Sequence, residues 1–186
     1  MRLFVAINLP DEVRRGIRNA TEPLHQAALP VHWVEPAGIH LTLKFLGEVD
    51  ESRRDELGAG VVAATRGARP FLMPISGFGA FPSVERPRVI WVGCEGVPPL
   101  ELLQHRMEQE MERLGFPIEG RPFRPHLTLG RVKKDGSPAR FRNLESLLDG
   151  LAFDAEAVVQ SVDLMESRLG PQGSAYRPVQ SVALES

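Results

Sequence analysis

Apolar and polar residues alternate along this chain in two rhythms. Period two marks strands, and spacings of three and four mark helices. Residues 2–8 read as a mostly apolar strand, and Pro10-Asp11-Glu12 starts a helix over about 10–28. Its apolar face is Val13, Ile17, Leu24 and Ala28, with Pro23 placed to kink it or end it early. Residues 31–34 read as a short strand, Pro36-Ala37-Gly38 as a turn, and 39–46 as a strand stopped by Gly47. A helix starts at Asp50-Glu51-Ser52 and runs to about Arg66. Residues 71–81 form a strand softened by Pro and Gly, hence an edge or bulged strand, and 88–94 are strongly β. Leu100, Leu103, Met107, Met111 and Leu114 stripe a helix over about 99–114, and Gly115 stops it. There follow a strand at 124–131, an exposed loop at 133–138, a short helix at 142–148 and a long strand at 153–166. A turn at 170–174 and a last strand at 176–184 suggest a terminal hairpin.

This order predicts an α+β fold with mostly antiparallel sheets, because neighbouring strands are joined by turns short enough for hairpins. A length of 186 residues fits one domain, 1–186. Each half repeats a helix followed by a similar strand, so the domain is expected to have two similar lobes.

Those two strands carry one phrase. His40-Leu41-Thr42-Leu43 opens one, and His126-Leu127-Thr128-Leu129 opens the other, close to half a chain later. On a strand, His and Thr share a face, about 6.6 Å apart, while both Leu residues turn to the core. Histidine gives and takes protons near neutrality, so two facing one cleft can serve as base and acid in a single displacement. Threonine supplies a stiffly held hydroxyl that can donate to an anionic oxygen. Doubled, the set suits a tetrahedral anion such as phosphate. Lys44 shares the parity of His40 and Thr42, and Arg131 ends the second strand, so either can add charge. By the same parity Phe45 belongs to the core.

Net charge is −2, which argues against nucleic-acid binding by bulk electrostatics and leaves room for a local positive cleft. Of the 22 basic residues only Lys44, Lys133 and Lys134 are lysines, most simply a coding bias. The single cysteine, Cys94, sits in a strand, forms no internal disulfide and suits a reducing cytosol. No apolar run approaches the roughly 20 residues of a membrane span, and the N-terminus turns polar too soon for a signal peptide. A soluble, cytoplasmic protein is expected. Metal chemistry is poorly supplied: threonine is a weak ligand, and Glu48 and Asp50 lie beyond Gly47. There is no Gly-x-Ser-x-Gly elbow and no nucleotide-type phosphate loop. His25, His32 and His105 read as surface or packing residues.

The strings His40-Leu-Thr-Leu-Lys-Phe-Leu-Gly47 and Arg124-Pro-His-Leu-Thr-Leu-Gly-Arg131 resemble the 2H phosphoesterase superfamily, in particular its RNA 2′,3′-cyclic phosphodiesterases, also called 2′-5′ RNA ligases. Arg2-Leu-Phe-Val-Ala-Ile7, Trp33-Val34, Arg88-Val-Ile-Trp91 and Tyr176 match further landmarks. The resemblance implies a bilobal, pseudo-two-fold fold with both motifs lining a central cleft. It implies metal-independent, cofactor-free hydrolysis of an RNA 2′,3′-cyclic phosphate end to a 2′-phosphate, with 2′-5′ ligation as the reverse. His40 would be the acid on the leaving 3′-oxygen and His126 the base. Thr42 and Thr128 would hold non-bridging oxygens, and Arg131 would stabilise charge. Partners would be RNA ends or small cyclic nucleotides, met by a monomer. The alternatives are another small cyclic phosphate as substrate, or a non-catalytic nucleotide-binding module. Phe45, Phe81, Phe123 and Tyr176 are candidates for base stacking.

Overall fold

The computed structural model describes residues 1–171 and 173–186. In chain order it contains β1 (Arg2–Asn8), α1 (Asp11–Ala20), α2 (Glu22–Gln26), β2 (Val31–Trp33), β3 (His40–Glu48), α3 (Arg54–Thr65), β4 (Phe71–Pro82) and β5 (Pro87–Cys94). There follow α4 (Pro98–Arg113), β6 (His126–Val132), α5 (Leu144–Asp149), β7 (Asp154–Val159), β8 (Ser161–Gly170) and β9 (Gly173–Ala183). The strands form one sheet in the order β7-β4-β5-β6-β3-β1-β8-β9, with β2 also on β6, and every pairing is antiparallel. The expected α+β class and antiparallel pairing hold.

One face of the sheet is the core. Leu3, Val5 and Ile7 of β1, Leu41 of β3, Leu127 of β6 and Val92 of β5 meet Leu57 and Val61 of α3 and the Leu100, Leu103, Met107, Met111 stripe of α4. Fully burying each such side chain is worth about 1.5–3 kcal/mol. Proline near the start and Gly115 at φ +95 just past the end bound α4 as its sequence predicts. A smaller cluster packs Leu24 of α2 and Leu144 and Leu148 of α5 on Ile90.

Two elements differ from their sequence pattern, and a third, β4, is the bulged strand expected and not an edge. The helix expected over 10–28 is two helices, because Pro23 forces a new start and Thr21 closes α1 by donating to the Ile17 carbonyl at 2.9 Å. β4 is bulged near Gly77 (φ +79) but is not an edge, since it pairs with β5 on one side and β7 on the other. Its Pro74 turns its carbonyl to the Glu95 amide at 2.9 Å, just past the end of β5, so the missing N–H costs no rung of the ladder to β7. The long strand expected at 153–166 is β7 and β8, with Gln160 between them. These strands stand near opposite ends of the sheet order. The sheet therefore curls until its ends approach, and alternation alone carries no record of that change of partner. β8 and β9 form the expected hairpin. Gln172, within the expected 170–174 turn, lies outside the described residues.

Candidate active site

The two central strands, β3 and β6, present the repeated phrase to each other. Leu41 is opposite Leu127, and both are buried. That antiparallel register sets His40 across from Thr128 and Thr42 across from His126. The two histidines then occupy one diagonal of a quadrilateral and the two threonines the other, with diagonal neighbours about 7–8 Å apart. All four side chains line one cleft of about 470 Å³ on the face away from the helices.

Both imidazoles are held alike. His40 Nδ1 lies 2.7 Å from the Gly38 carbonyl, and His126 Nδ1 lies 2.7 Å from the Arg124 carbonyl. A carbonyl only accepts, so each Nδ1 carries its proton and each Nε2 is left for a ligand. Each ring is also braced by aromatics. His40 packs on Phe4 at 4.9 Å and meets Tyr176 edge-on at 5.0 Å. His126 meets Phe81 edge-on at 5.0 Å, with Trp91 at 6.4 Å. Burial pushes His40 below its ordinary pKa of 6.5; the hydrogen bond to Gly38 opposes this, while the charges of Arg14 and Arg131 add to it. Arg14 also ties the approach to β3, donating to the Ile39 carbonyl at 3.1 Å and to Asn8 Oδ1 at 3.0 Å. Asn8 in turn donates to Asp163 at 2.5 Å.

A bulge follows each motif. Val5 pairs with Lys44 and Ala6 with Thr42, so Leu43 is unmatched. Ile90 pairs with Gly130 and Trp91 with Thr128, so Leu129 is unmatched in the same way. An extra residue reverses the alternation beyond it. Arg131, which strict alternation would send to the core, therefore joins His126 and Thr128 at the cleft. In β3 the same reversal corrects two expectations. Phe45 is 53% exposed and lines the cleft instead of the core. Lys44 leaves the site face, is 6% exposed, and pairs with Glu108 at 2.9 Å. At the matching place in β6 stands Gly130, where a Cβ would lie 2.5 Å from Val31 and 2.7 Å from the Trp33 ring.

Sequence reasoning missed Phe4 and Gly38 as parts of the site. Phe4 was legible in principle, because it lies on the opposite face of β1 from Leu3 and Val5. Gly38 shows its purpose only in three dimensions: a Cβ there would sit 3.4 Å from the Tyr176 ring and 3.2 Å from Val34. Cys94 is buried, and burial pushes its thiol up to about 12. His25 packs on Trp33 at 4.6 Å, and His32 and His105 are exposed. Among the described residues no three His, Cys, Asp or Glu side chains converge as a metal site, and no helix is long and apolar enough to cross a membrane.

The family model described as LigT like Phosphoesterase matches residues 7–91 and 93–176, one motif in each stretch. The chain belongs to this family. Among its LigT-like relatives, a Thermotoga maritima protein named RNA 2′,3′-cyclic phosphodiesterase is 34% identical over 95% of this chain and 92% of the relative. A Methanothermobacter thermautotrophicus protein of the same name is 34% identical over 95% of each. The fold agrees as well. A Thermus thermophilus structure superposes with a TM-score of 0.83 at 30% identity, covering 99% of this chain and 98% of that one. Escherichia coli LigT complexed with 3′-AMP gives 0.74 at 27% identity, covering 100% and 98%.

Proposed function

We propose that this LigT-like enzyme hydrolyses the 2′,3′-cyclic phosphate at an RNA end to a 2′-phosphate, using two histidines as acid and base. The observation that carries this is the matched pair: two imidazoles held at Nδ1 by identical backbone anchors, each Nε2 without a hydrogen-bond partner among the described residues, on opposite corners of one cleft. The names of the relatives support the same substrate. In this reading His126 takes a proton from water as its oxygen bonds to phosphorus. The P–O3′ bond breaks, and His40 protonates the departing oxygen, leaving a 2′-phosphate and a free 3′-hydroxyl. Thr42 and Thr128 donate to the non-bridging oxygens, and Arg131 balances their growing charge. Burial, with the charges of Arg14 and Arg131, weakens the hold of His40 on its proton. With a 5′-hydroxyl in place of water as the attacking group, the same steps form a 2′-5′ linkage and free the 3′-hydroxyl. The enzyme acts as a monomer, each half of the chain supplying one arm.

The test is turnover of 2′,3′-cyclic mononucleotides and a cyclic-ended oligoribonucleotide, with EDTA present. Release of 2′-phosphate is the expected result. Turnover of neither substrate would overturn the proposal, and loss of activity on adding EDTA would overturn its metal independence.

A further inference from the structure

A second concavity opens beside the first. It encloses about 800 Å³, against 470 Å³ for the cleft, and the two share Thr42, Phe45 and His126. His40, Thr128 and Arg131 line only the cleft. The groove thus leads away from the reacting centre past His126. Its walls carry Phe81 and Phe123 together with Arg88, Arg121 and Arg124. All three arginines are exposed, in a chain whose overall charge is −2. Two carboxylates, Glu108 and Glu119, also line it; Glu108 pairs with Lys44 and Glu119 with Arg121. Among the described residues, the charge left without a carboxylate partner in this groove is that of Arg88 and Arg124.

The wall is held in place. Residues 117–125 have no regular structure of their own, yet Lys44 donates to the Pro117 carbonyl at 2.6 Å. The Glu119 amide donates to Glu108 at 3.1 Å, and Lys44 and Glu108 are themselves a buried pair. This anchor fixes the segment that carries Arg121, Phe123 and Arg124. Half-buried aromatic rings and exposed guanidinium groups lining one groove are the chemistry that takes unpaired nucleotides, bases stacking on rings and phosphates meeting arginine forks.

We infer that this groove binds the single-stranded RNA that leads into the terminal nucleotide, so that the enzyme reads an RNA strand and not its last nucleotide alone. The inference rests on the phosphodiesterase reading and extends it. The cleft holds the cyclic end, and the groove holds nucleotides upstream of it.

The experiment compares kcat/KM for a 2′,3′-cyclic mononucleotide and a cyclic-ended oligoribonucleotide of six residues, in wild type and in Arg88→Ala/Arg124→Ala. Wild type is expected to favour the oligonucleotide by about tenfold or more, and the variant to lose most of that preference. The preference should weaken as salt rises, with a slope near that of two or three released counterions, about −2 on a log–log plot. Fluorescence anisotropy with a labelled oligoribonucleotide ending in a 2′-phosphate measures the same site without turnover, and its Kd should rise about tenfold in the variant. Equal use of both substrates by wild type, or a preference and Kd that the variant leaves unchanged, overturns the groove. If wild type turns over neither substrate yet binds the oligonucleotide in an arginine-dependent way, the catalytic reading falls and the groove stands.

Discussion

Leu41 lies directly opposite Leu127, and through that one contact each histidine faces the threonine of the other strand. An anion between the strands is then gripped by one arm from each half. His40→Ala and His126→Ala should each lower kcat by about 10²–10⁴-fold. Thr42→Val and Thr128→Val should each cost about 10²-fold. Chromatographic measurement of 2′-phosphate release checks this, with circular dichroism confirming the fold. If one threonine carried the whole effect, the paired grip would be wrong.

The division of labour between the histidines is testable with a nucleoside aryl phosphodiester, whose leaving group departs without a proton. His40→Ala should recover most of the wild-type rate on that substrate, and His126→Ala should not. The reverse pattern would exchange the two roles.

The pH profile bears on the same point. His40 must hold its proton to act as the acid, and its pKa in the free enzyme lies below 6.5. Since kcat/KM reports the free enzyme, it should fall as pH rises through a value below 6.5. A kcat/KM profile with no falling limb below 6.5 would count against His40 as the acid.

Much of this site was legible in the sequence because strand parity places His and Thr together at both motifs. Parity failed one residue further on. Nothing in Leu43 or Leu129 announces a bulge, because a bulge depends on the register of the neighbouring strand, set here by Val5–Ala6 and Ile90–Trp91. Parity therefore assigns Lys44 and Phe45 to each other's faces. The same limit merged β7 with β8: a local pattern shows that residues alternate, not which strand they alternate against.

Lys44→Met should test the buried anchor. It leaves the Glu108 carboxylate buried without its cation, a loss of about 3–5 kcal/mol. Urea denaturation would show it as a lowered midpoint with an unchanged slope. A change below about 1 kcal/mol would mean that the pair contributes little.

Gly38→Ala probes the support of His40. The added methyl crowds Val34 and the Tyr176 ring, which braces His40. A displacement of that brace should lower kcat by about tenfold with little loss of stability, because positioning is steep in distance. Thermal denaturation and kcat measured together would separate the two, and unchanged kcat would show that Tyr176 is dispensable as a brace.

The junction at Gln160 also sets an order of events during synthesis. Apart from the short β2, the strands of the half of the sheet that carries His126, β4, β5, β6 and β7, lie between Phe71 and Val159. The half that carries His40 joins β1 and β3 to β8 and β9, the first strands made to the last. As the chain leaves the ribosome, the surroundings of His126 can close while those of His40 wait for Tyr176. The histidine encoded first is the last to acquire its environment, so a truncated product would keep one arm of the site and lack the other.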